Sequence, residues 1–187
     1  MAKVYEFLAT GFEDIEALIP LDIMRRAGVD FKTVSVTGEL VVESAHGVGI
    51  KADMLIEDAD FSDADLIMLP GGLPGATNLN SHNGVKKAVI EQNARGKMNG
   101  AICAAPMVLG GLGLLEGRRA TCYPGFEKYL EGAEYTHELC TVDGNITTGE
   151  GPAASLPYAY TLLAALTDKH TADQIAEGMM YKHLMLK

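Results

Sequence analysis

The 187-residue sequence predicts an α/β fold with a mainly parallel central sheet. Short apolar runs alternate with longer helix-compatible segments, an order typical of parallel strands joined by right-handed helical crossovers. The run at residues 66–69 is continuously apolar, as expected of a central strand buried on both faces. No linker, repeat or low-complexity tract divides the chain, so we expect a single domain over residues 1–187.

The first part of the chain predicts two strands separated by a helix. Residues 4–9 read as a buried strand, and residues 31–36 alternate as a second strand does. Between them, residues 13–27 have helical spacing and are followed by Gly28, a residue favoured just after a helix. The predicted apolar face of this helix consists of Ile15, Leu18, Ile19 and Ile23.

The middle of the chain continues the alternation of strands and helices. A short turn separates two β-type runs that we expect to pair antiparallel, and the central strand stops at a Pro-Gly-Gly sequence. The elements predicted here are strands at 40–43, 48–51, 66–69 and 98–102 and a helix at about 85–94.

The last part of the chain predicts a hairpin and two further helices. An Asp-Gly-Asn sequence is typical of a hairpin turn, and Thr171 with Gln174 fits a capping box at the start of the last helix. The elements predicted here are strands at 120–123, 141–142 and 146–148 and helices at 107–112, 155–166 and 172–186.

The charge balance excludes several classes of partner. The formal net charge is -10, which argues against nucleic acid and anionic membranes because phosphate binding needs clustered Lys and Arg. No apolar run is long enough to span a bilayer. The N-terminal residues run directly into a strand pattern without a signal-peptide core, so we expect a cytoplasmic protein.

Cys103 follows a short strand and precedes Pro106 and a helix-compatible run. Its neighbours are small, as a sharp strand-to-helix turn requires, because bulky side chains would clash with the backbone there. A helix N-terminus also favours thiolate over thiol. We therefore predict that Cys103 is a reactive nucleophile in a nucleophile elbow. The alternative is a packing role, since free cysteines are among the most buried residue types.

The other cysteines, Cys122 and Cys140, are expected to be packing residues. An odd number of widely spaced cysteines argues against a disulfide framework. The sequence contains no Cys-x-x-Cys pair and no His-Glu-x-x-His motif, so nothing supports a structural or protease-type metal site.

Three segments together resemble the ThiJ/PfpI superfamily. They are Phe-Glu-Asp-Ile-Glu at 12–16, Leu-Pro-Gly-Gly at 69–72 and Ala-Ile-Cys-Ala-Ala-Pro at 101–106. Their order and spacing are similar to those of the superfamily's parkinsonism-associated deglycase branch and its bacterial homologues, and the similarity extends over nearly the whole chain. The resemblance implies a flavodoxin-like, three-layer α/β sandwich.

The resemblance also implies a role for each site residue. Cys103 matches the family's nucleophile, and Glu16 matches the carboxyl group that hydrogen-bonds its sulfur. The backbone N–H groups of Gly72 and Ala104 match a pair that holds an oxyanion, and Gly71 precedes them in the same loop. A carboxyl buried beside a thiolate has a raised pKa, so a protonated Glu16 can donate a hydrogen bond to sulfur and move protons. Two N–H groups suit an alkoxide on an attacked carbonyl.

The sequence departs from the family pattern around the cysteine. Tyr123 stands before Pro124, where many members carry a histidine, and Glu150 stands where an arginine is frequent. No Cys-His pair can therefore be assigned there. His46 falls where the family has a surface arginine near the dimer contact, which makes it an accessory candidate for the missing imidazole; His137 is a weaker one.

The resemblance implies a cysteine-dependent enzyme that acts on small reactive carbonyls without a cofactor or metal. Its substrates would be methylglyoxal or glyoxal, converted to a hydroxy acid, or their early adducts on proteins, in a stress-protective role. Dimers are common in the family, so we expect a homodimer with apolar residues of the first and last helices at the interface.

Two other interpretations remain open. Cys103 would serve a redox sensor or chaperone if peroxide oxidised it to a sulfinate held by protonated Glu16. A cysteine peptidase or amidase is a third interpretation, which the missing histidine disfavours. Catalysis and sensing need the same acidic thiol, so the sequence leaves them undecided.

Overall fold

The computed structural model describes residues 1–185, and the predicted helix end at Leu186 lies outside them. The strands, in chain order, are β1 (Lys3–Leu8), β2 (Asp30–Ser35), β3 (Val41–Glu43), β4 (Gly49–Lys51), β5 (Met54–Leu55), β6 (Leu66–Leu69), β7 (Met98–Ile102), β8 (Arg119–Ala120), β9 (Glu134–Tyr135), β10 (Cys140–Asp143) and β11 (Ile146–Gly149). Seven of them form one sheet in the order β10-β11-β7-β6-β1-β2-β5. Within that sheet β10 is antiparallel to β11, and the other neighbours are parallel.

Helices cover both faces of this sheet. They are α1 (Asp14–Arg26), α2 (Gly75–Ser81), α3 (Asn83–Ala94), α4 (Pro106–Gly111), α5 (Ser155–Leu166), α6 (Lys169–Gly178) and α7 (Tyr181–Met185). The chain moves outward from β1 to β2 in one direction and from β6 to β7 in the other, so right-handed crossovers place their helices on opposite faces. Accordingly α1 packs on α5 and α5 on α6, whereas α2 packs on α3 and α4. The predicted three-layer α/β sandwich is confirmed.

The core lies on both sides of the central strands. All four residues of β6 are buried, and β6 is the fourth of seven strands in the sheet. The continuous apolar run at 66–69 therefore predicted its central position correctly. The predicted hairpin of β10 with β11 and the small antiparallel pair of β3 with β4 are also confirmed.

The predicted apolar face of α1 was only partly correct, since Ile23 is buried and Ile19 packs against the core. Ile15 is 46% exposed and Leu18 is half-buried. The buried residues are Glu16, Ala17, Pro20, Ile23 and Met24. They follow the i, i+4, i+7, i+8 spacing of one helix face, but a carboxyl group occupies one position, and a search for apolar residues alone misses it.

The predicted last helix was also wrong, because α6 and α7 are separate. Asp168 caps α6, and its carboxylate accepts a hydrogen bond from the Thr171 N–H at 2.8 Å, so Thr171 and Gln174 form no capping box. Met180, between the helices, has a left-handed backbone with φ 62.

Two further elements differ from the predictions. The strand expected at 120–123 ends at Ala120, because Tyr123 turns away to donate its N–H to the carbonyl of Cys103 at 2.8 Å. Helix α2 lies in a segment whose several polar residues and glycine gave no helical signal. None of the helices within residues 1–185 is long and apolar enough to cross a bilayer.

Glu6, on β1, is a carboxyl group fully buried in the sheet. Neither of its oxygens has a hydrogen-bond partner among residues 1–185. Burial raises its pKa well above the ordinary value, and the charge of Arg25 only partly opposes this. Burial therefore favours the protonated form of Glu6 in the folded protein and costs folding free energy.

We expect Glu6→Met to raise the free energy of unfolding by about 1–3 kcal/mol near neutral pH, because it removes an unpaired buried polar group at similar volume. In the unfolded chain Glu6 ionises above its ordinary pKa, whereas in the folded protein it stays protonated. The wild type therefore loses stability relative to Glu6→Met as the pH rises above the ordinary pKa of 4.5. Urea denaturation followed by circular dichroism measures both effects.

The matched control is Glu43→Met on β3, where the side chain is exposed and a change within about 0.5 kcal/mol is expected. An equal gain in both variants, or a Glu6→Met gain that shrinks with rising pH, would contradict the assignment of Glu6 as a buried acid.

Candidate active site

The candidate site lies at the carboxyl edge of the sheet, beside its central strands. β1 and β6 are neighbours, and the chain leaves them in opposite directions. Crevices at such a switch point are where open α/β sheets bind ligands. The start of α1, the loop after β6 and the turn after β7 all meet at this edge.

Cys103 occupies the sharp turn between β7 and α4. Its backbone is left-handed, with φ 64, which is uncommon for a residue that has a side chain. Its N–H donates to the carbonyl of Gly149 at 2.8 Å, which ties the turn to β11. The residue is 8% exposed. Strained backbone of this kind concentrates at functional sites.

Glu16 lies in the first turn of α1 and is fully buried. Its Oε2 accepts a hydrogen bond from the Gly71 N–H at 2.8 Å, and its carboxyl also interacts with the Cys103 thiol. Glu13 caps the helix by accepting from the Glu16 N–H at 2.8 Å, and the Glu13 N–H donates to the Gly71 carbonyl at 3.0 Å. These bonds fix α1 against the loop after β6.

Gly71 separates Glu16 from Cys103. A Cβ atom added at Gly71 would lie 2.6 Å from Glu16 Oε2 and 2.7 Å from Cys103 Cβ. It would also lie 2.9 Å from the carbonyl oxygen of Ile102, which cannot rotate away. The carboxyl and the cysteine can approach each other only because this position carries no side chain.

The predicted pair of backbone donors also reaches the cysteine. The N–H groups of Gly72 and Ala104 both hydrogen-bond the Cys103 sulfur. Gly72 has φ 85, and a Cβ there would lie 2.5 Å from the backbone nitrogen of Glu13. The conformation that presents the first donor therefore requires glycine.

Burial dominates the electrostatics of the pair. It raises the pKa of Glu16 to about 7, and the charge of Glu13 adds to the effect. Burial, together with the charge and hydrogen bond of Glu16, also raises the pKa of the Cys103 thiol, whereas the two N–H groups lower it. The first proton therefore leaves the pair near neutral pH, and the two groups titrate as a unit.

The helix N-terminus was predicted to make Cys103 acidic, but other effects outweigh it and the pKa of the thiol is raised. α4 has six residues and begins three positions after the cysteine, so its dipole contributes little. Loss of solvent and the neighbouring carboxyl outweigh it.

The sequence also matches a known family. The profile of the DJ-1/PfpI family matches residues 2–165. The chain belongs to that family. This confirms the superfamily and the flavodoxin-like fold that the sequence motifs predicted.

Individual relatives extend the match over most of the chain. Protein DJ-1 homolog B of Arabidopsis thaliana is 40% identical over 182 residues, which are 96% of this chain and 42% of that protein. The chain thus spans less than half of that relative. A deglycase of Pyrococcus horikoshii is 30% identical over 162 residues, 81% of this chain and 91% of the deglycase.

Solved structures have the same fold as this chain. The crystal structure of a cysteine-to-alanine mutant of a DJ-1 superfamily protein from Salmonella typhimurium superposes with a TM-score of 0.92 at 34% identity. The superposition covers 96% of this chain and 98% of that one.

In this DJ-1/PfpI chain the accessory candidates lie in different places. Tyr123 is beside the site, since its N–H donates to the Cys103 carbonyl at 2.8 Å, although its side chain is 47% exposed. His46 is exposed, and its Nδ1 pairs with Asp14 Oδ2 at 2.6 Å, which raises the pKa of His46. The His137 ring packs on Tyr135. No hydrogen bond within residues 1–185 joins either histidine to Cys103.

Glu13, Asp14 and His46 form the one group of potential metal ligands among the described residues, with ligand atoms within 4.8 Å of one another. These atoms already have partners. Asp14 binds Ser44 and His46, and Glu13 caps α1. Nothing further points to an ion there.

Sequence reasoning missed two contributors to the site. Glu13 fixes the start of α1, and its acidic side chain just before the helix was an available signal. Tyr158, on α5, lies against β7 and β11, where a Cβ at Gly100 would be 2.5 Å from its hydroxyl and one at Gly149 would be 3.1 Å from its ring. Helical periodicity alone marks Tyr158 as buried without revealing this contact.

We expect the rate of Cys103 alkylation by iodoacetamide to rise with pH through an apparent pKa near 7, because the pair loses its first proton there. Glu16→Gln keeps the acceptor for the Gly71 N–H but removes the titrating carboxyl. It should therefore abolish the step near 7 and leave only ionisation of a buried thiol at higher pH. Peptide mass spectrometry measures the rate at each cysteine.

Cys140 is the internal control. Burial raises its pKa to about 11, so its alkylation should show no step near neutral pH. The same inflection in wild type and in Glu16→Gln would show that Glu16 and Cys103 titrate independently.

Proposed function

We propose that this protein is a cysteine-dependent enzyme of the glyoxalase or deglycase type that converts small reactive carbonyls without a bound cofactor. One observation carries the proposal: a buried carboxyl with a pKa near 7 and two backbone N–H groups converge on one sulfur. A nucleophile, a proton carrier and an oxyanion site are the three parts that addition to an aldehyde requires.

The proposed reaction begins when the Cys103 thiolate adds to the aldehyde carbon of methylglyoxal. The carbonyl electrons move to oxygen, and the alkoxide accepts hydrogen bonds from Gly72 and Ala104 before it is protonated. Having protonated the alkoxide, Glu16 as a carboxylate removes the hydrogen on that carbon as a proton and returns it to the adjacent carbon. The hydroxyl proton on the first carbon passes to the oxygen of the adjacent carbon, which leaves a lactoyl thioester. Water hydrolyses the thioester to lactate and the free thiol, so one water is consumed for each methylglyoxal.

A peptidase is less well supported. A thiol with a raised pKa needs a neighbouring base, and in Cys-His peptidases an imidazole supplies it. Tyr123 occupies the adjacent position here, and His46 is engaged with Asp14. The deglycase name of the Pyrococcus horikoshii relative also favours carbonyl chemistry.

Redox sensing is the second candidate function. The protonated Glu16 and the two N–H groups could hydrogen-bond the oxygens of a sulfinate on Cys103 as they would an alkoxide. Oxidation by peroxide would then be specific to Cys103 and would depend on Glu16.

We further propose that the protein is a homodimer whose interface includes the start of α1 and the hairpin of β3 and β4. Ile15 is 46% exposed, Val41 60% and Val48 47%, and Asp14 hydrogen-bonds Ser44 beside the hairpin. Exposed apolar side chains on these two neighbouring segments suit an interface between copies.

We expect cofactor-free, metal-free wild type to form lactate from methylglyoxal. Cys103→Ala should abolish this activity, and Glu16→Gln should lower kcat/KM by roughly 100-fold or more, as loss of a general acid–base group does. Cys140→Ala is the matched control and should retain activity. Lactate is measured by proton NMR.

An unchanged rate in Cys103→Ala would end the proposal. No turnover by wild type, combined with peroxide oxidation confined to Cys103 and lost in Glu16→Gln, would favour the sensor function instead.

Light scattering should give about twice the 19.9 kDa mass of the chain for wild type. Ile15→Asp should give the monomer mass, because a charge at an apolar interface costs several kcal/mol. Ile90→Asp changes an equally exposed isoleucine on α3, at 46%, and should remain a dimer. A monomeric wild type, or dissociation of both variants, would contradict this interface.

A further inference from the structure

A small cavity of about 160 Å³ lies next to the Cys103 turn. Its walls include Tyr123, Pro124, Leu139, Glu150 and Pro152. Binding sites for drug-sized ligands are typically about 300–1,000 Å³, so this cavity is the size of a single side chain or small substituent.

One wall of the cavity, Tyr123, is hydrogen-bonded to Cys103, and a second wall, Glu150, follows a residue that is. The Tyr123 N–H donates to the Cys103 carbonyl at 2.8 Å, and the Cys103 N–H donates to the carbonyl of Gly149 at 2.8 Å. Glu150 directly follows Gly149, and its own N–H donates to the Leu139 carbonyl at 3.0 Å. The cavity therefore adjoins the backbone of Cys103.

The cavity is apolar apart from one carboxyl group. Glu150 is half-buried and makes no side-chain hydrogen bond or ion pair with any of residues 1–185. The Tyr123 ring lies over Gly151, where an added Cβ would be 3.1 Å from ring atom Cδ2. A free carboxylate beside an aromatic face and apolar walls suits an alkylammonium or guanidinium group.

The charged groups around the cavity also favour a cationic substituent over an anionic one. Burial is the main cause of the raised pKa of the Cys122 thiol, and the charges of Glu127 and Glu150 add to it, so both carboxylates act on this region. The Glu127 carboxylate accepts a hydrogen bond from the Gly125 N–H. Arg119 is paired with Glu138. The local field is therefore negative, and an anionic substituent would be repelled.

We propose that this cavity is a subsite for a cationic substituent of the molecule that reacts with Cys103. Glu150 is its specificity-determining residue. Carbonyl compounds that carry an ammonium or guanidinium group are favoured, as on a lysine or arginine side chain, and 2-oxo acids are disfavoured. The carbonyl part of this inference rests on the proposed function, but the charge preference at Cys103 does not.

The test uses three methanethiosulfonate reagents that differ in charge: a trimethylammonium-ethyl, a sulfonato-ethyl and a neutral methyl reagent. In each case the thiolate attacks the sulfenyl sulfur and releases methanesulfinate, leaving a mixed disulfide on Cys103. Peptide mass spectrometry gives the rate at Cys103. The ratio of cationic to anionic rates is divided by the same ratio for a small free thiol.

We expect wild type to favour the cationic reagent, and Glu150→Gln to reduce the corrected ratio by at least about five-fold. Glu177→Gln is the matched control. It makes the same change in net charge at an exposed position on α6 and should leave the ratio within about two-fold.

Three results would overturn the subsite: no charge preference in wild type, an equal ratio in wild type and Glu150→Gln, or exclusion of the cationic reagent from Cys103. Failure of the proposed function is recognised separately. It appears as absent methylglyoxal turnover in a protein that still shows a Glu150-dependent charge preference.

Discussion

The approach of the Glu16 carboxyl to Cys103 across Gly71 is the constraint on which the site depends. No side chain fits between the two groups, since a single added carbon would lie 2.6 Å from the carboxylate and 2.7 Å from Cys103 Cβ. The three participants come from α1, from the loop after β6 and from the turn after β7. Their meeting therefore requires β1, β6 and β7 to be adjacent in the sheet, with their carboxyl ends at one edge.

The two buried carboxyls near the sheet differ in what offsets their burial. Glu16 accepts a hydrogen bond from the Gly71 N–H and shares a proton with the Cys103 thiol. The carboxyl whose burial costs folding free energy is therefore part of a reactive pair. Glu6 has no partner among the described residues and remains a neutral acid in an apolar layer. Only for the first does the structure give a reason to retain a carboxyl.

Most of the fold followed from local pattern, because β6 and α5 have apolar runs whose length matches the element. The break at Met180 did not, since a left-handed residue without glycine leaves no sequence signal. The motifs indicated the residues now seen around Cys103. They could not show whether the pKa of Cys103 is raised or lowered, because that depends on how much solvent is excluded and on which charges lie nearby.

The left-handed backbone of Cys103 has a consequence for how this protein can change. Glycine alone adopts that conformation without steric cost, so replacing the cysteine by glycine would relieve strain while removing the sulfur. The strained backbone and the reactive sulfur thus belong to one residue, and a substitution that relieves the first removes the second.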